Sequence, residues 1–285
     1  TCGLSNRILV KWGAGHGLAK RSRIDLDEAG KRAFIGDMLE CTNGIADAVR
    51  RRAVSSPGRR LDDGALDAVV SALSTVMDYE ALAADGRRFE TIYRPISILP
   101  PDQYLALVLQ ATEGCSWNKC TFCDFYRDRP FRIKRAADFR RHVRDVMAFL
   151  GPALALRRSV FLADANALVI EQRRLMELLD IVNAELPMEQ PAPGVTEERR
   201  SVPAQAPALR GIFSFVDAFT GRRKSEDDYR QMARAGLRRV YIGLESGDDD
   251  VLQFLHKGSS AQDAVSTVRA IKAAGVDVGV IVMLG

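Results

Sequence analysis

A chain of 285 residues, 47% hydrophobic and 27% charged, has the composition of a globular protein with one large domain, or a core domain plus an appendage. The formal net charge is only +4, Arg outnumbers Lys about four to one, and runs such as Arg50-Arg51-Arg52 and Arg199-Arg200 read as solvated faces, so nothing argues for nucleic acid as a partner. No apolar stretch approaches the roughly 18 residues that span a bilayer, which excludes a membrane-spanning helix.

Residues 1–91 read as a mostly helical region. Over 26–52, Ala33, Phe34, Met38, Leu39, Ile45 and Val49 fall approximately on one helical face. A Ser-Ser-Pro-Gly break follows at 55–58. A second helix is expected from residue 66 to about 83, with Leu66, Val69, Val70, Leu73 and Val76 at helical spacing and Asp62 or Asp63 as cap. Cys2, His16 and Cys41 match no metal-binding spacing. The Gly-rich stretch 13–17 reads as a turn, because no strand precedes it and no Lys-Ser/Thr signature follows.

After a linker marked by Tyr93-Arg94-Pro95 and Pro100-Pro101, the pattern changes to alternating strands and helices over 92–285. Strands are expected at 104–110, 159–163, 212–216, 240–244 and 276–284. The last is the longest apolar run, interrupted by Asp277 and Gly279. Between them, Phe139, Val143, Val146, Met147 and Leu150 mark one helix face, and 171–186 reads as another helix. Capping boxes at Ser225-x-x-Asp228 and Ser260-x-x-Asp263 open two more, which stop at Gly236 and Gly275. Residues 188–208, rich in Pro, Glu and Arg, read as a mobile insertion. Such alternation predicts a parallel sheet buried on both faces. In folds of that kind the reactive groups gather at the carboxyl ends of the strands. The cysteine-rich loop, Asp164 and Asn166, Asp217, and Glu245 with Ser246 all follow strands in this way.

That loop carries the strongest signal. Cys115, Cys120 and Cys123 sit in Glu-Gly-Cys-Ser-Trp-Asn-Lys-Cys-Thr-Phe-Cys, three thiols within nine residues. Structural zinc sites nearly always have four protein ligands, and iron–sulfur clusters usually take four thiolates. A set of three leaves one position open, which points to catalysis. A structural zinc site completed by His142 is the alternative, making the protein a non-catalytic zinc- or iron–sulfur-stabilised binding module. A disulfide is disfavoured by the odd total of five cysteines and the absence of a signal peptide, both of which fit a reducing cytoplasm.

The loop, the strand ending Tyr-Ile-Gly-Leu-Glu-Ser-Gly (241–247) and the segment Phe-Leu-Ala-Asp-Ala-Asn-Ala-Leu (161–168) together resemble the radical S-adenosylmethionine (SAM) superfamily. The likeness is to a bacterial group without an assigned reaction, with Cys-x4-Cys-x2-Cys in place of the widespread Cys-x3-Cys-x2-Cys. The resemblance implies a partial (βα)6 TIM-like barrel. It implies that Cys115, Cys120 and Cys123 bind a [4Fe–4S] cluster whose fourth iron is chelated by SAM. It further implies an external electron donor such as a flavodoxin or ferredoxin, and reductive cleavage of SAM to a 5′-deoxyadenosyl radical that abstracts hydrogen from an unknown substrate. Phe122 would pack near adenine, with 280–283 lining the same site. Asp164 and Asn166 would meet the methionine end, where many relatives have Gly and an acid and this chain has Ala165 and Asn166. Glu245 and Ser246 would contact the ribose or methionine portion. Asp217, Arg222 and Arg223 read either as residues facing a substrate, where an anionic one would suit the arginines, or as a solvated loop. The chain opens at Thr1 and stops at Gly285 directly after a strand-like run, so it reads as a fragment whose barrel ends after the fifth strand.

Overall fold

The structure, a computed structural model, describes residues 3–13, 21–52, 62–189 and 208–284. Expectations for Cys2, His16, the turn at 14–17, the break at 55–58 and nearly all of the 188–208 insertion lie outside the described residues. The chain divides into two compact units, Thr1–Thr91 and Ile92–Gly285.

The first unit opens on a feature the sequence reading lacked, an antiparallel pairing of β1 (Leu9–Gly13) with β2 (Arg21–Asp25), Leu9 opposite Asp25. Helix α1 (Glu28–Arg50) starts where the Asp27 carboxylate accepts from the Gly30 N–H at 2.8 Å. Its Ile35 joins Ile8 and Tyr79 in a small core, with Leu26, Met38, Leu39 and Leu82 packed against it. Full burial of an aliphatic side chain such as Ile35 contributes about 1.5–3 kcal/mol.

The helix expected over 66–83 is two helices, α2 (Asp63–Leu73) and α3 (Tyr79–Ile92). The break has a local cause. The hydroxyls of Ser74 and Thr75 donate back to the carbonyls of Ser71 and Ala72, both at 2.7 Å, competing for groups that would otherwise continue the ladder. Asp78 then caps the restart, accepting from the Ala81 N–H at 2.8 Å.

The second unit is built on a parallel sheet of five strands in sequence order: β3 (Ala106–Gln110), β6 (Ser159–Ala163), β7 (Ile212–Val216), β8 (Leu237–Glu245) and β9 (Asp277–Val282). Two short strands, β4 (Thr112–Glu113) and β5 (Arg132–Ile133), pair antiparallel beside it. Every residue of β3, β6 and β7 is buried, as expected of a sheet covered on both faces. Phe161, Phe215 and Tyr241 form one ring cluster on it, with centroids 5.0–6.3 Å apart. The helices α4 (Ala136–Leu150), α5 (Gln172–Glu185), α7 (Glu226–Arg234) and α9 (Ala261–Ala273) alternate with the strands. Both capping boxes form. This is the α/β, partial (βα)6 barrel arrangement of the sequence reading, with two short helices added at strand ends, α6 (Ala218–Gly221) after β7 and α8 (Asp249–Phe254) after β8.

Candidate functional site

The cysteine loop leaves the sheet after β3 and is pinched at its base. Thr112 pairs with Ile133 and Glu113 with Arg132, so residues 114–131 form a closed excursion. Gly114 has φ +78°, and a Cβ there would stand 3.1 Å from the Pro130 carbonyl, so this turn requires glycine. Within the loop the Arg127 guanidinium donates to the carbonyls of Cys120 and Cys123, both at 3.2 Å. The Asn118 N–H donates to the Cys115 sulfur at 3.3 Å.

A second anchor comes from the far end of α8. The Trp117 indole N–H donates to the His256 carbonyl at 2.7 Å, and the Thr121 N–H to the Leu255 carbonyl at 3.1 Å. The indole lies so close to Gly258 that a Cβ there would meet three ring carbons at 2.9–3.0 Å. The cysteine loop is thereby latched to the 255–258 turn, and that turn delivers Lys257.

At the carboxyl ends of the strands, one pocket is lined by Cys115, Cys120, Cys123, Phe122, Asn166 and Glu245 from the sequence-derived set. Trp117, Asp217, Phe219, Lys257 and Ile281 also line it. Of the 280–283 segment only Ile281 faces the pocket, because side chains alternate along β9. Asp164 and Ser246 are not lining residues. Asp164 is buried behind the loop, where its carboxylate accepts from the Gly114 N–H at 3.4 Å. Burial raises its pKa to about 6, against the pull of the Gly114 N–H and the Arg129 charge. Ser246 accepts from the Asp248 N–H at 3.1 Å and so shapes the turn into α8. A separate surface groove of about 520 Å³ runs along α4 and α5, between Arg140, Arg144 and Glu177, and contains none of these residues.

Polar groups in the pocket are arranged with one vacancy. The Asn166 amide donates to Asp217 and, at 3.1 Å, to the Thr220 hydroxyl, which leaves its buried carbonyl oxygen without a partner. Asp217 also caps α6 by accepting from the Thr220 N–H. Lys257 donates to Glu245 at 3.3 Å, both side chains 12% exposed. Glu245 sits at φ +65°, in the left-handed region where a non-glycine residue is uncommon and strained. Sequence reasoning missed Lys257, since a single lysine in a loop carries no pattern.

Burial raises the pKa of Cys115, opposed by the backbone N–H groups of Asn118 and Trp117. Burial likewise raises that of Cys120, opposed by the Lys257 charge. Among the described residues no group of three His, Cys, Asp or Glu side chains could hold a metal ion. A zinc site completed by His142 finds no support. His142 is buried beside β3, its Nε2 accepting from the Gln110 N–H at 3.0 Å and its ring edge-on to Tyr93. Burial lowers its pKa to about 4. The donor set fits an iron–sulfur cluster, in which each thiolate takes its own iron and the three need not meet at one point. The orphaned Asn166 oxygen fits a ligand carrying an N–H donor beside that cluster.

A parallel α/β barrel that presents three thiols on the loop after its first strand is an arrangement suited to holding an iron–sulfur cluster at the strand ends. Residues 109–285 match the family model of the radical SAM superfamily, which spans more than half of the chain, and the chain belongs to that family. The cluster and SAM implied by the resemblance are that family's cofactors. The chain is 23% identical over 176 residues to a 4′-phospho-dehydrooxetanocin synthase of Priestia megaterium, covering 60% of this chain and 22% of that protein. Its structure is similar to the cobalamin-dependent SAM radical enzyme OxsB with aqua-cobalamin and SAM bound, with TM-score 0.45, 17% identity, and 63% and 25% of the two chains covered. It is also similar to methylornithine synthase, with TM-score 0.40, 17% identity, and 82% and 57% covered. The chain thus spans about a quarter of the length of the first relatives it matches.

Proposed function

We propose that this chain is a radical SAM enzyme in which Cys115, Cys120 and Cys123 hold a [4Fe–4S] cluster and the pocket beside them takes SAM. When bound, cluster and SAM supply reductive cleavage of the sulfonium C–S bond and a carbon radical able to take hydrogen from a substrate. The observation that carries the reading is the convergence of three thiols, an orphaned buried amide oxygen and an apolar wall on one pocket at the strand ends.

The roles follow from each residue's chemistry. The three cysteines bind as thiolates, and since burial favours their neutral form, assembly releases protons and weakens as pH falls. The Asn166 oxygen accepts an N–H from the amino group of the methionine end. Phe122 and Ile281 flank the adenine. Glu245 offers a carboxylate oxygen to the ribose, and the Lys257 ammonium, donating to that carboxylate at 3.3 Å, holds it in place. Asp164 and Ser246 act one layer further out, holding Gly114 and the turn into α8. Phe215 and Val216, both buried, give the pocket an apolar wall that excludes water from the reacting groups. The electron comes from an external donor such as a flavodoxin or ferredoxin, and the substrate is a separate molecule. We also assign the helical and hairpin region 1–91 and the barrel 92–285 as separate domains.

Anaerobic reconstitution with iron and sulfide, then reduction with dithionite in the presence of SAM, tests the reading. About four irons per chain and formation of methionine and 5′-deoxyadenosine are expected. A protein that holds iron yet leaves SAM intact under reduction contradicts it.

A further inference from the structure

Positive charge gathers beside two of the aromatic rings that line the pocket, on side chains that the cluster and SAM do not use. Phe219, just after β7, lines the pocket and stacks against Trp117 of the cysteine loop with centroids 5.6 Å apart. Around this aromatic pair stand three cations. The Arg223 guanidinium lies 4.3 Å and that of Arg222 5.4 Å from the Phe219 centroid, and the Lys119 ammonium lies 5.0 Å from Trp117. All three are exposed. Arg222 has one carboxylate, Asp263, at 3.3 Å, whereas Arg223 and Lys119 make no ion pair among the described residues. Placing two guanidinium groups on one ring with a single carboxylate between them leaves like charges close together and undercompensated. A guanidinium held over a ring face keeps its N–H donors available, and a planar fork of this kind takes an oxyanion bidentately. The pocket lining also keeps apolar side chains partly exposed, Ile98 at 41% and Phe125 at 45%.

From this juxtaposition we infer that the mouth binds the anionic end of the substrate, a phosphate group on a molecule whose apolar body lies across Ile98 and Phe125. The inference deepens the proposed function and rests on it for the word substrate. The anion site itself needs neither cluster nor SAM.

Calorimetric titration of the purified chain with inorganic pyrophosphate at fixed ionic strength is the test, with the cluster absent and then loaded. Saturable binding is expected in both states. It should weaken by about tenfold in Arg223→Gln and further in the Arg222→Gln/Arg223→Gln double variant, with Arg223→Lys intermediate because charge remains and the fork is lost. Arg141→Gln, an exposed arginine of the separate groove along α4, serves as the surface control and should bind like wild type. Unchanged thermal unfolding of the double variant shows that the loss is local. No saturable binding to the wild type, or equal binding by the double variant, overturns the inference. So does binding of polyglutamate in place of pyrophosphate, which would assign the mouth to an acidic protein partner. Each of these outcomes leaves the SAM-cleavage assay untouched, so the two readings fail separately.

Discussion

Replacing Gly258 by Ala tests whether the 255–258 turn positions the cysteine loop. The added Cβ would stand 2.9–3.0 Å from three carbons of the Trp117 ring. Ordinary carbon contacts are about 3.5–4.0 Å, so the ring must retreat by about 0.5–1 Å. It is held on the way by its N–H bond to the His256 carbonyl at 2.7 Å, and Phe219 is its stacking neighbour. Overpacking of this kind costs about 1–3 kcal/mol. For a unit of this size that corresponds to a fall in Tm of about 2–12 °C, measured by thermal unfolding of the cluster-free protein. Trp117 lies between Cys115 and Cys120, so the same displacement should reduce iron uptake on reconstitution. In a Trp117→Leu background the ring is gone, and Gly258→Ala should then cost less than about 0.5 kcal/mol. Wild-type Tm and wild-type iron uptake in Gly258→Ala, or an equal cost in both backgrounds, would refute the latch.

Three further outcomes are expected. His142 is buried and neutral, its pKa lowered to about 4 by burial, so the unfolded chain binds the extra proton first as pH falls below about 6.5. Stability contributed by its neutral state is full above that pH and declines by up to about 3 kcal/mol toward pH 4; denaturant unfolding of His142→Gln should show a shallower slope across that window. Lys257→Gln strands the Glu245 carboxylate and should cost about 1–3 kcal/mol, with Glu245→Gln/Lys257→Gln recovering part of it; no loss in the single variant would show that the pair is solvated. Cys120→Ala should lose iron binding while Cys41→Ala, an exposed thiol in the first unit, keeps it; iron loss in Cys41→Ala would show that the three-thiol set is misassigned.

The barrel strands were legible because strands buried on both faces leave short, near-continuous apolar runs, as in Val160-Phe161-Leu162 and Ile212 to Val216. Caps were equally plain, since Ser225 and Ser260 each meet an acid three residues on. The β1–β2 hairpin was not. Arg21, Arg23 and Lys11 dilute its alternation, and Trp12 and Ile24 remain exposed, so no buried face wrote itself into the pattern. The break between α2 and α3 was hidden because the apolar period carries on while hydroxyl groups end the helix. At the site, the cysteines announced themselves by spacing. Lys257, Trp117 and Phe219 did not, since the fold unites them across 38 to 140 positions of the chain and no spacing marks them. Asp164 follows its strand as expected, yet faces the base of the cysteine loop, because the chain turns directly after β6 ends at Ala163 and it is Ala165 and Asn166 that line the pocket.

The central claim is that an iron left open by the three-thiol loop binds SAM directly. Its most direct test is the EPR spectrum of the reduced, reconstituted protein before and after SAM is added. A cluster signal whose g-values shift on adding SAM, and which is absent in Cys115→Ala, is the predicted result. A protein that takes up stoichiometric zinc and stays colourless after iron and sulfide, or a cluster signal indifferent to SAM, would contradict the account.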